Sequence, residues 1–299
     1  MPHATRAYPS RIEHADREAI AALITAGWEK GHSVDHAFAD AWDAGMMLGS
    51  RRSWWRIAAT IQDQSARPVA PTRRGTGRPP REAPVLEATG PGQVWSWDIT
   101  DLRTPWRGVA FKAYSIIDIY SRKLVGWRVE EREVDDLAVE MFRDAITREG
   151  IPGAVHADSD PAMRSTVLKD YLQELNVTQT HNRPRASNDN PFSESEFRTM
   201  KYRPNYPGTF VDIEQARAFM TWYAPWYNWN HKHSGIALFS PSEVHDGTWR
   251  QRWDARARTH QAYYEKHPER FRRRPTTPTP ASIVGINLPK PEPERLQAA

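Results

Sequence analysis

Ala154-Val155-His156-Ala157-Asp158 is a short apolar run that ends on an acid, and Asn190-Pro191-Phe192-Ser193-Glu194-Ser195-Glu196-Phe197-Arg198-Thr199-Met200-Lys201 opens like a helix. Between Asp158 and Glu194 lie residues 159–193, thirty-five positions. The first run has the length and composition of a buried strand. In the second, Asn190 is a strong N-cap type and Pro191 suits the first helical position. Glu194 then falls on the first turn, with Phe197, Arg198 and Lys201 on or near its face. Glu196 is rotated about 200° away, at about 100° per residue. A third acid, Asp98, interrupts Val94-Trp95-Ser96-Trp97-Asp98-Ile99-Thr100. Strand alternation puts Val94, Ser96, Asp98 and Thr100 on one face and Trp95, Trp97 and Ile99 on the other. A carboxylate in mid-sheet is costly to bury unless it is paired or bound to a metal. Three such acids suit hard divalent cations, which take oxygen ligands, and two ions side by side can clamp an in-line phosphoryl displacement. On residue type alone Asp101, Asp160 and Glu196 compete with Asp98, Asp158 and Glu194.

Outward from these runs the pattern predicts strands over 94–100, 108–119 and 123–129, forming a meander, and a fourth over 154–157 and a fifth over 177–180. Helices are expected over 134–148, with Leu137, Met141, Phe142 and Ala145 inward, and over 162–175, with Val167, Leu168, Tyr171 and Leu172 inward. With the Glu194 helix, the order βββαβαβα describes a mixed sheet with helices on both faces, an α/β class. Ahead of it, residues 15–29 form an amphipathic helix on Ile20, Leu23, Ile24 and Trp28. Ser33 caps a second helix ending at Gly45, and Ser50 caps a third over 51–61 that carries Arg51, Arg52 and Arg56 on its polar face. Three short helices with a basic last one fit a helix-turn-helix over residues 1–64.

Residues 65–92 read as a Pro- and Gly-rich basic linker with Arg73, Arg74, Arg78 and Arg81. Gly77-Arg78-Pro79 is similar to the centre of an arm that lies in a narrow minor groove, although a plain linker has the same composition. Residues 93–240 are expected to form the mixed-sheet core. A helix over 214–230 places Phe219, Trp222, Tyr223 and Trp226 in an aromatic stripe, read as core. Residues 241–271 form a helical extension containing an Arg-rich helix over 249–267. Residues 272–299 form a Pro-rich tail interrupted by Ile283-Val284-Gly285-Ile286-Asn287-Leu288, a patch suited to docking on this or a neighbouring subunit.

Lys and Arg number 41 against 37 acids, a balance compatible with a polyanionic partner. Cysteine is absent, which removes disulfides, thiolate metal sites and thiol nucleophiles together. No apolar run is long enough to span a bilayer, and the N-terminus lacks a signal core. No membrane partner is therefore expected, and the location is cytoplasmic.

Five segments in order carry a family resemblance: Trp97-Asp98-Ile99-Thr100, Ile117-Asp118-Ile119-Tyr120-Ser121-Arg122, His156-Ala157-Asp158, Ser187-Asn188-Asp189-Asn190-Pro191-Phe192-Ser193-Glu194, and Tyr227-Asn228 followed by His231-Lys232-His233-Ser234-Gly235. Together they resemble the catalytic reading frame of insertion-sequence transposases of the IS-three group, within the integrase-core (DDE) superfamily, over residues 15–275. The resemblance implies a ribonuclease H-like fold and selects Asp98, Asp158 and Glu194 as catalytic metal ligands. It implies two Mg²⁺ ions, with Mn²⁺ as substitute, for strand cleavage and strand transfer at the ends of an insertion sequence in a bacterial, nucleoid-associated setting. Asp118 matches a position that is not a ligand.

Partners implied are double-stranded DNA, both element ends and target, a homo-oligomer on that DNA, and an upstream-frame fusion partner. His181, Arg183, Arg185, Arg198 and Lys201 are candidates for backbone contacts near the site. Family members commonly carry Arg-Gly after the second acid, where this chain has Ser159-Asp160. That departure keeps two other readings open: a metal-dependent nuclease without strand transfer, and a non-catalytic DNA-binding regulator derived from a transposase.

Overall fold

The computed structural model describes residues 12–68, 84–158, 165–183 and 190–289. In chain order the elements are α1 (His14–Glu29), α2 (Val34–Asp43), α3 (Arg51–Ala58), β1 (Leu86–Ala88), β2 (Val94–Arg103), β3 (Ala110–Asp118), β4 (Leu124–Glu130), α4 (Asp135–Glu149), β5 (Ala154–Ala157), α5 (Thr166–Glu174), β6 (Thr178–His181), α6 (Pro191–Lys201), α7 (Ile213–Trp229), α8 (Pro241–His245), α9 (Trp249–Lys266) and β7 (Val284–Ile286). They divide into two compact units. One is drawn from Met1–Arg74, Phe197–Val211 and Ala218–Ala281, the other from Gly75–Glu196, Asp212–Arg217 and Ser282–Ala299.

The second unit contains a five-stranded sheet in the order β4-β3-β2-β5-β6. The strands β2, β3 and β4 form an antiparallel meander, while β5 joins β2 in parallel and β6 joins β5 in parallel. Parallel pairing needs a crossover connection; α4 supplies the one into β5 and α5 the one into β6. Three antiparallel strands followed by two parallel ones in this order make the ribonuclease H-like topology.

One face of the sheet is apolar. Trp95, Trp97, Tyr114, Ile116, Val125, Val155 and Ala157 pack against Ala138, Met141, Phe142 and Ala145 of α4 and Leu168 and Leu172 of α5. Trp97 meets Phe142 edge-on at 5.6 Å. Each large side chain buried here contributes about 1.5–3 kcal/mol. The strand alternation thus sends the tryptophans to α4 and α5 and leaves Ser96, Asp98 and Ser115 for the opposite face. Val167 is an exception to the expected helix face. It is 45% exposed, because Leu168 and Leu172, four residues apart, line up on the core side of α5.

Two regions read as linker and tail hold strands. Leu86–Ala88 pairs antiparallel with Val284–Ile286, and Ile286 packs with Ala88, Val94, Ile119 and Ala154. The apolar patch near the C-terminal end therefore docks on its own chain. Gly285 admits the close approach: a Cβ there would meet Leu86 O at 2.2 Å. Asp118 closes the turn between β3 and β4, accepting from Gly92 N at 2.7 Å, Ser121 N at 2.7 Å and Ser121 Oγ at 2.8 Å. Its role is structural, as the sequence implied.

In the other unit, α1, α2 and α3 enclose Ile20, Ile24, Trp28, Phe38, Trp42, Trp54 and Ile57. Ser33 accepts from His36 N, and Ser50 from Ser53 N, so both expected N-caps form. The third helix ends at Ala58, three residues short of the expected end. The aromatic stripe of α7 splits, with Tyr223 buried, Phe219 and Trp226 half-buried and Trp222 42% exposed.

A charged centre ties α2 to α9. Arg256 is buried, and its Nε lies 2.6 Å from Asp43 Oδ1. Its Nη1 and Nη2 donate to Ala237 O and Leu238 O at 3.0 and 2.9 Å, backbone positions held at positive φ. Lys232 Nζ also reaches Asp43, at 3.0 Å. Burial alone would raise the Asp43 carboxyl, but the hydrogen bonds and charges of Arg256 and Lys232 hold it below its ordinary value. A carboxyl depressed on folding stabilises at neutral pH, and that contribution is lost as pH falls through the folded value.

Removing one partner of a buried ion pair costs about 3–5 kcal/mol. We therefore expect Arg256→Ala to lower stability by that order in urea unfolding, and Asp43→Asn to flatten the acid limb of the stability curve below about pH 4. Unchanged unfolding midpoints in both variants would remove Asp43 from this role.

Candidate active site on the polar face of the sheet

The parallel register of β2 and β5 runs Val94↔Ala154, Trp95↔Val155, Ser96↔His156 and Trp97↔Ala157. The next residue on each side is an aspartate, Asp98 and Asp158. Adjacent strands lie about 4.8 Å apart, so continuation of the pairing sets the two acids side by side. Alternation puts them on the face that carries Ser96 and His156, opposite the tryptophans. On the other flank of β2, Asp98 is paired with Ser115 of β3.

The helix α6 is seated on this same face by polar groups. Ser96 Oγ donates to Asn190 Oδ1 and lies 2.9 Å from Ser193 Oγ. Asn190 Nδ2 donates to Trp97 O at 3.3 Å. Farther along, Ser115 Oγ donates to Glu196 Oε2 at 3.3 Å. Thus Ser193 stands over β2 and Glu196 reaches toward β3. Glu194 is rotated about 200° from Glu196 around the helix. Burial separates the two helix acids in the same way: Glu196 is 1% exposed, whereas Glu194 is half-buried.

Asp158 is held from β6. Asn182 Nδ2 donates to Asp158 Oδ1, and the Asn182 backbone N–H donates to Ala157 O at 3.0 Å. Asn182 Oδ1 lies 2.7 Å from His156 Nε2, and His156 Nδ1 lies 2.8 Å from Thr180 Oγ1. Both ring nitrogens of His156 are therefore engaged within the sheet, and the histidine fixes the asparagine that fixes the acid. His181 Nδ1 lies 3.2 Å from Asp158 O. Asp98 Oδ1 accepts from Ile99 N at 2.8 Å.

The residues that seat this group were not singled out in the sequence. Ser96, Ser115, Ser193 and Asn182 are ordinary polar residues there. Only the placement of Ser96 on the Asp98 face pointed toward them. Asn190 was read as a helix cap, and its side chain bonds to β2.

The basic candidates are scattered. Arg51 Nε and Nη2 bind Asp35 at 2.7 and 2.6 Å, and Trp55 Nε1 donates to the same carboxylate at 2.7 Å. Arg51 thereby links α3 to α2. Arg56 Nη2 donates to Ser53 Oγ at 3.1 Å, and Arg52 and Arg56 are exposed. Arg198 is exposed, and Lys201 and Arg183 are half-buried. Arg73, Arg74, Arg78 and Arg185 lie outside the described residues, as does Asp160.

Two family models match the chain, both described as "Integrase core domain", over residues 88–187 and 175–241. The transposase InsF for insertion sequence IS3A of Escherichia coli (strain K12) is 30% identical over 200 residues, 62% of this chain and 68% of that protein. The transposase for insertion sequence element IS904 of Lactococcus lactis subsp. lactis (strain IL1403) is 29% identical over 162 residues. That match spans 53% of this chain and 63% of the relative. Among solved structures, the catalytic core domain of BIV integrase aligns with a TM-score of 0.42 and 17% identity, over 54% of this chain and 99% of that one. At that score the likeness carries no weight, and the fold rests on the strand order.

Asn182→Ala would leave the His156 nitrogen and an Asp158 oxygen without a common partner. Such a loss costs about 1–3 kcal/mol. Unfolding of the variant in urea should show it, and wild-type stability would mean that Asn182 does not hold Asp158.

Proposed function

We propose, for a chain that belongs to the integrase-core family of insertion-sequence transposases, that it cleaves DNA at the ends of such an element and joins them to target DNA. The observation that best supports this reading is the β2–β5 register, which runs into Asp98 and Asp158 beside the first turn of α6. Asp98, Asp158 and Glu194 are the proposed catalytic acids and the proposed ligands of two Mg²⁺ ions, with Mn²⁺ as substitute. An all-oxygen donor set of this kind suits hard divalent cations. When bound, such ions supply charge neutralisation and Lewis acidity at a phosphodiester.

The reaction needs no covalent protein intermediate. In cleavage, a water oxygen bonds to phosphorus, the bond from phosphorus to the 3′ oxygen breaks, and that oxygen takes up a proton. In transfer, the freed 3′-hydroxyl oxygen bonds to a target phosphorus and a target 3′ oxygen leaves. One phosphodiester is exchanged for another, so no external energy source is required. The chain's task is to hold the reacting groups in line. Asn182 and His156 orient Asp158, while Ser96, Ser193 and Asn190 seat the helix that carries Glu194. Positioning of this kind is a large part of catalysis by phosphoryl-transfer enzymes.

The substrate is double-stranded DNA. Arg52 and Arg56 of the helix-turn-helix region, Arg73, Arg74 and Arg78 of the linker, and Arg183, Arg185, Arg198 and Lys201 are proposed to meet its phosphates. Arg51 joins them with the part of its guanidinium that Asp35 does not occupy. Each phosphate contact adds about 0.9 to the salt slope of binding. Pairing of two ends requires a homo-oligomer on DNA, and an upstream-frame product is the proposed fusion partner. The site of action is the nucleoid, in the cytoplasm. No helix among the described residues is long and apolar enough to cross a membrane.

The test uses a precleaved element end, an uncleaved end and target DNA with Mg²⁺. Wild-type protein should give both nicked and joined products. Asp98→Asn, Asp158→Asn and Glu194→Gln should each reduce both by about 10²–10³ or more with DNA binding kept. Nicking without joining would identify a nuclease instead, and DNA binding with neither product a regulator.

A further inference from the structure

The helical unit holds a second cluster of donor atoms, unlike the first in chemistry. In Gly31-His32-Ser33-Val34-Asp35-His36-Ala37-Phe38-Ala39-Asp40, two histidines and an acid recur every four residues. A stride of four aligns side chains along one row of a helix. His32 lies just before the N-cap Ser33, and His36 and Asp40 are within α2. His32 Nδ1 and His36 Nε2 each lie 3.6 Å from the same atom, Asp40 Oδ2. The three donor atoms all lie within 4.8 Å of one another. The two imidazoles are stacked, with centroids 3.8 Å apart and planes 20° apart, so one ring turns about its Cβ–Cγ bond before both in-plane lone pairs can meet one ion.

We propose that His32, His36 and Asp40 bind one zinc-class divalent cation, in a site separate from the catalytic acids. A separation of 3.6 Å is too long for a hydrogen bond. It is close to the edge of a tetrahedron of ligands around zinc, about 3.3–3.4 Å for bonds of about 2.0–2.1 Å. Two imidazole nitrogens and one carboxylate oxygen favour zinc, cobalt or nickel over magnesium.

The backbone around the cluster is fixed before any ion arrives. His36 N donates to Ser33 Oγ at 3.2 Å, and Gly31 takes a φ of 73°. A Cβ at Gly31 would meet Pro204 Cδ at 2.8 Å, so a larger residue is resisted there on two counts. The His36 side chain is 6% exposed, that of His32 20% and that of Asp40 48%. The site therefore opens to solvent on the Asp40 side, which leaves water access to a fourth coordination position. Lys232 and Arg203 face His36 with positive charge and weaken cation binding; Lys232 Nζ is paired with Asp43 at 3.0 Å. A bound ion would clip the turn between α1 and α2 to the second turn of α2, and so stiffen the helical region proposed to meet DNA.

The experiment is zinc titration of chelator-stripped full-length protein by calorimetry, in excess Mg²⁺, with Co²⁺ absorption as a second readout. Wild-type protein should bind one equivalent of Zn²⁺ and give the intense visible bands of tetrahedral Co²⁺. His32→Asn and Asp40→Asn alter the more exposed ligands and spare the buried His36. Each should weaken zinc binding by at least about tenfold and remove the cobalt bands, with the circular dichroism of the protein unchanged. Glu194→Gln should retain both signals, because it touches only the proposed catalytic acids. Zinc binding that survives in His32→Asn and Asp40→Asn, or that is lost in Glu194→Gln alone, would overturn the proposal. So would absence of binding to the wild type.

Discussion

The parallel pairing of β2 with β5 is the constraint on which the proposed chemistry depends. It joins Val94–Trp97 to Ala154–Ala157, strands separated in the chain by β3, β4 and α4. Four residues of apolar β5 have little to hold them unless both faces are covered, and α4 and α5 cover one of them. A shift of that register by one residue would turn the side chains of β5 over. His156 would then face the tryptophan core, and Asp158 would no longer stand beside Asp98. The same apolar contacts that stabilise the sheet therefore set the spacing of two acids on its opposite face.

The opposite face is organised by a different interaction. Apolar burial is non-directional and tolerates small shifts, whereas a hydrogen bond fixes distance and angle. Ser96, Asn190, Ser193 and Ser115 with Glu196 fix α6 on the sheet through such bonds, and Asn182 with His156 does so for Asp158. Buried polar groups are costly unless every partner is present. A site built from them has essentially one low-energy arrangement, which suits the proposed metal ligands. The apolar face sets the strand register, and the polar face fixes α6 and the Asp158 side chain upon it.

In the helical unit, Arg256 of α9 meets Asp43, two backbone carbonyls and the faces of Trp42 and Phe239, the rings at 5.3 and 4.3 Å. The helix α9 is Arg-rich, and its most buried residue is an arginine engaged with protein. Arg51, bidentate on Asp35, follows the same rule. Charge counts alone do not distinguish an arginine that meets a phosphate from one that holds two helices together.

The sequence by itself determined the order of elements, because strand alternation and helical spacing are local. Trp95 and Trp97 against Ser96 and Asp98, the caps Ser33 and Ser50, and the helix beginning at Pro191 were all legible there. So was the family, through five short segments in order. The sequence left open which of Glu194 and Glu196 faces outward, what holds Asp158, and where Val284–Ile286 docks. It also left His32, His36 and Asp40 unremarked at the start of a helix. Each of these depends on what stands across from a residue in space, and no local pattern records that. Only the tertiary structure decided that Glu196 is buried against Ser115, that Asn182 bonds to Asp158, and that Leu86–Ala88 lies beside Val284–Ile286, because hydrogen bonds between distant strands are chosen by the packing of the whole sheet.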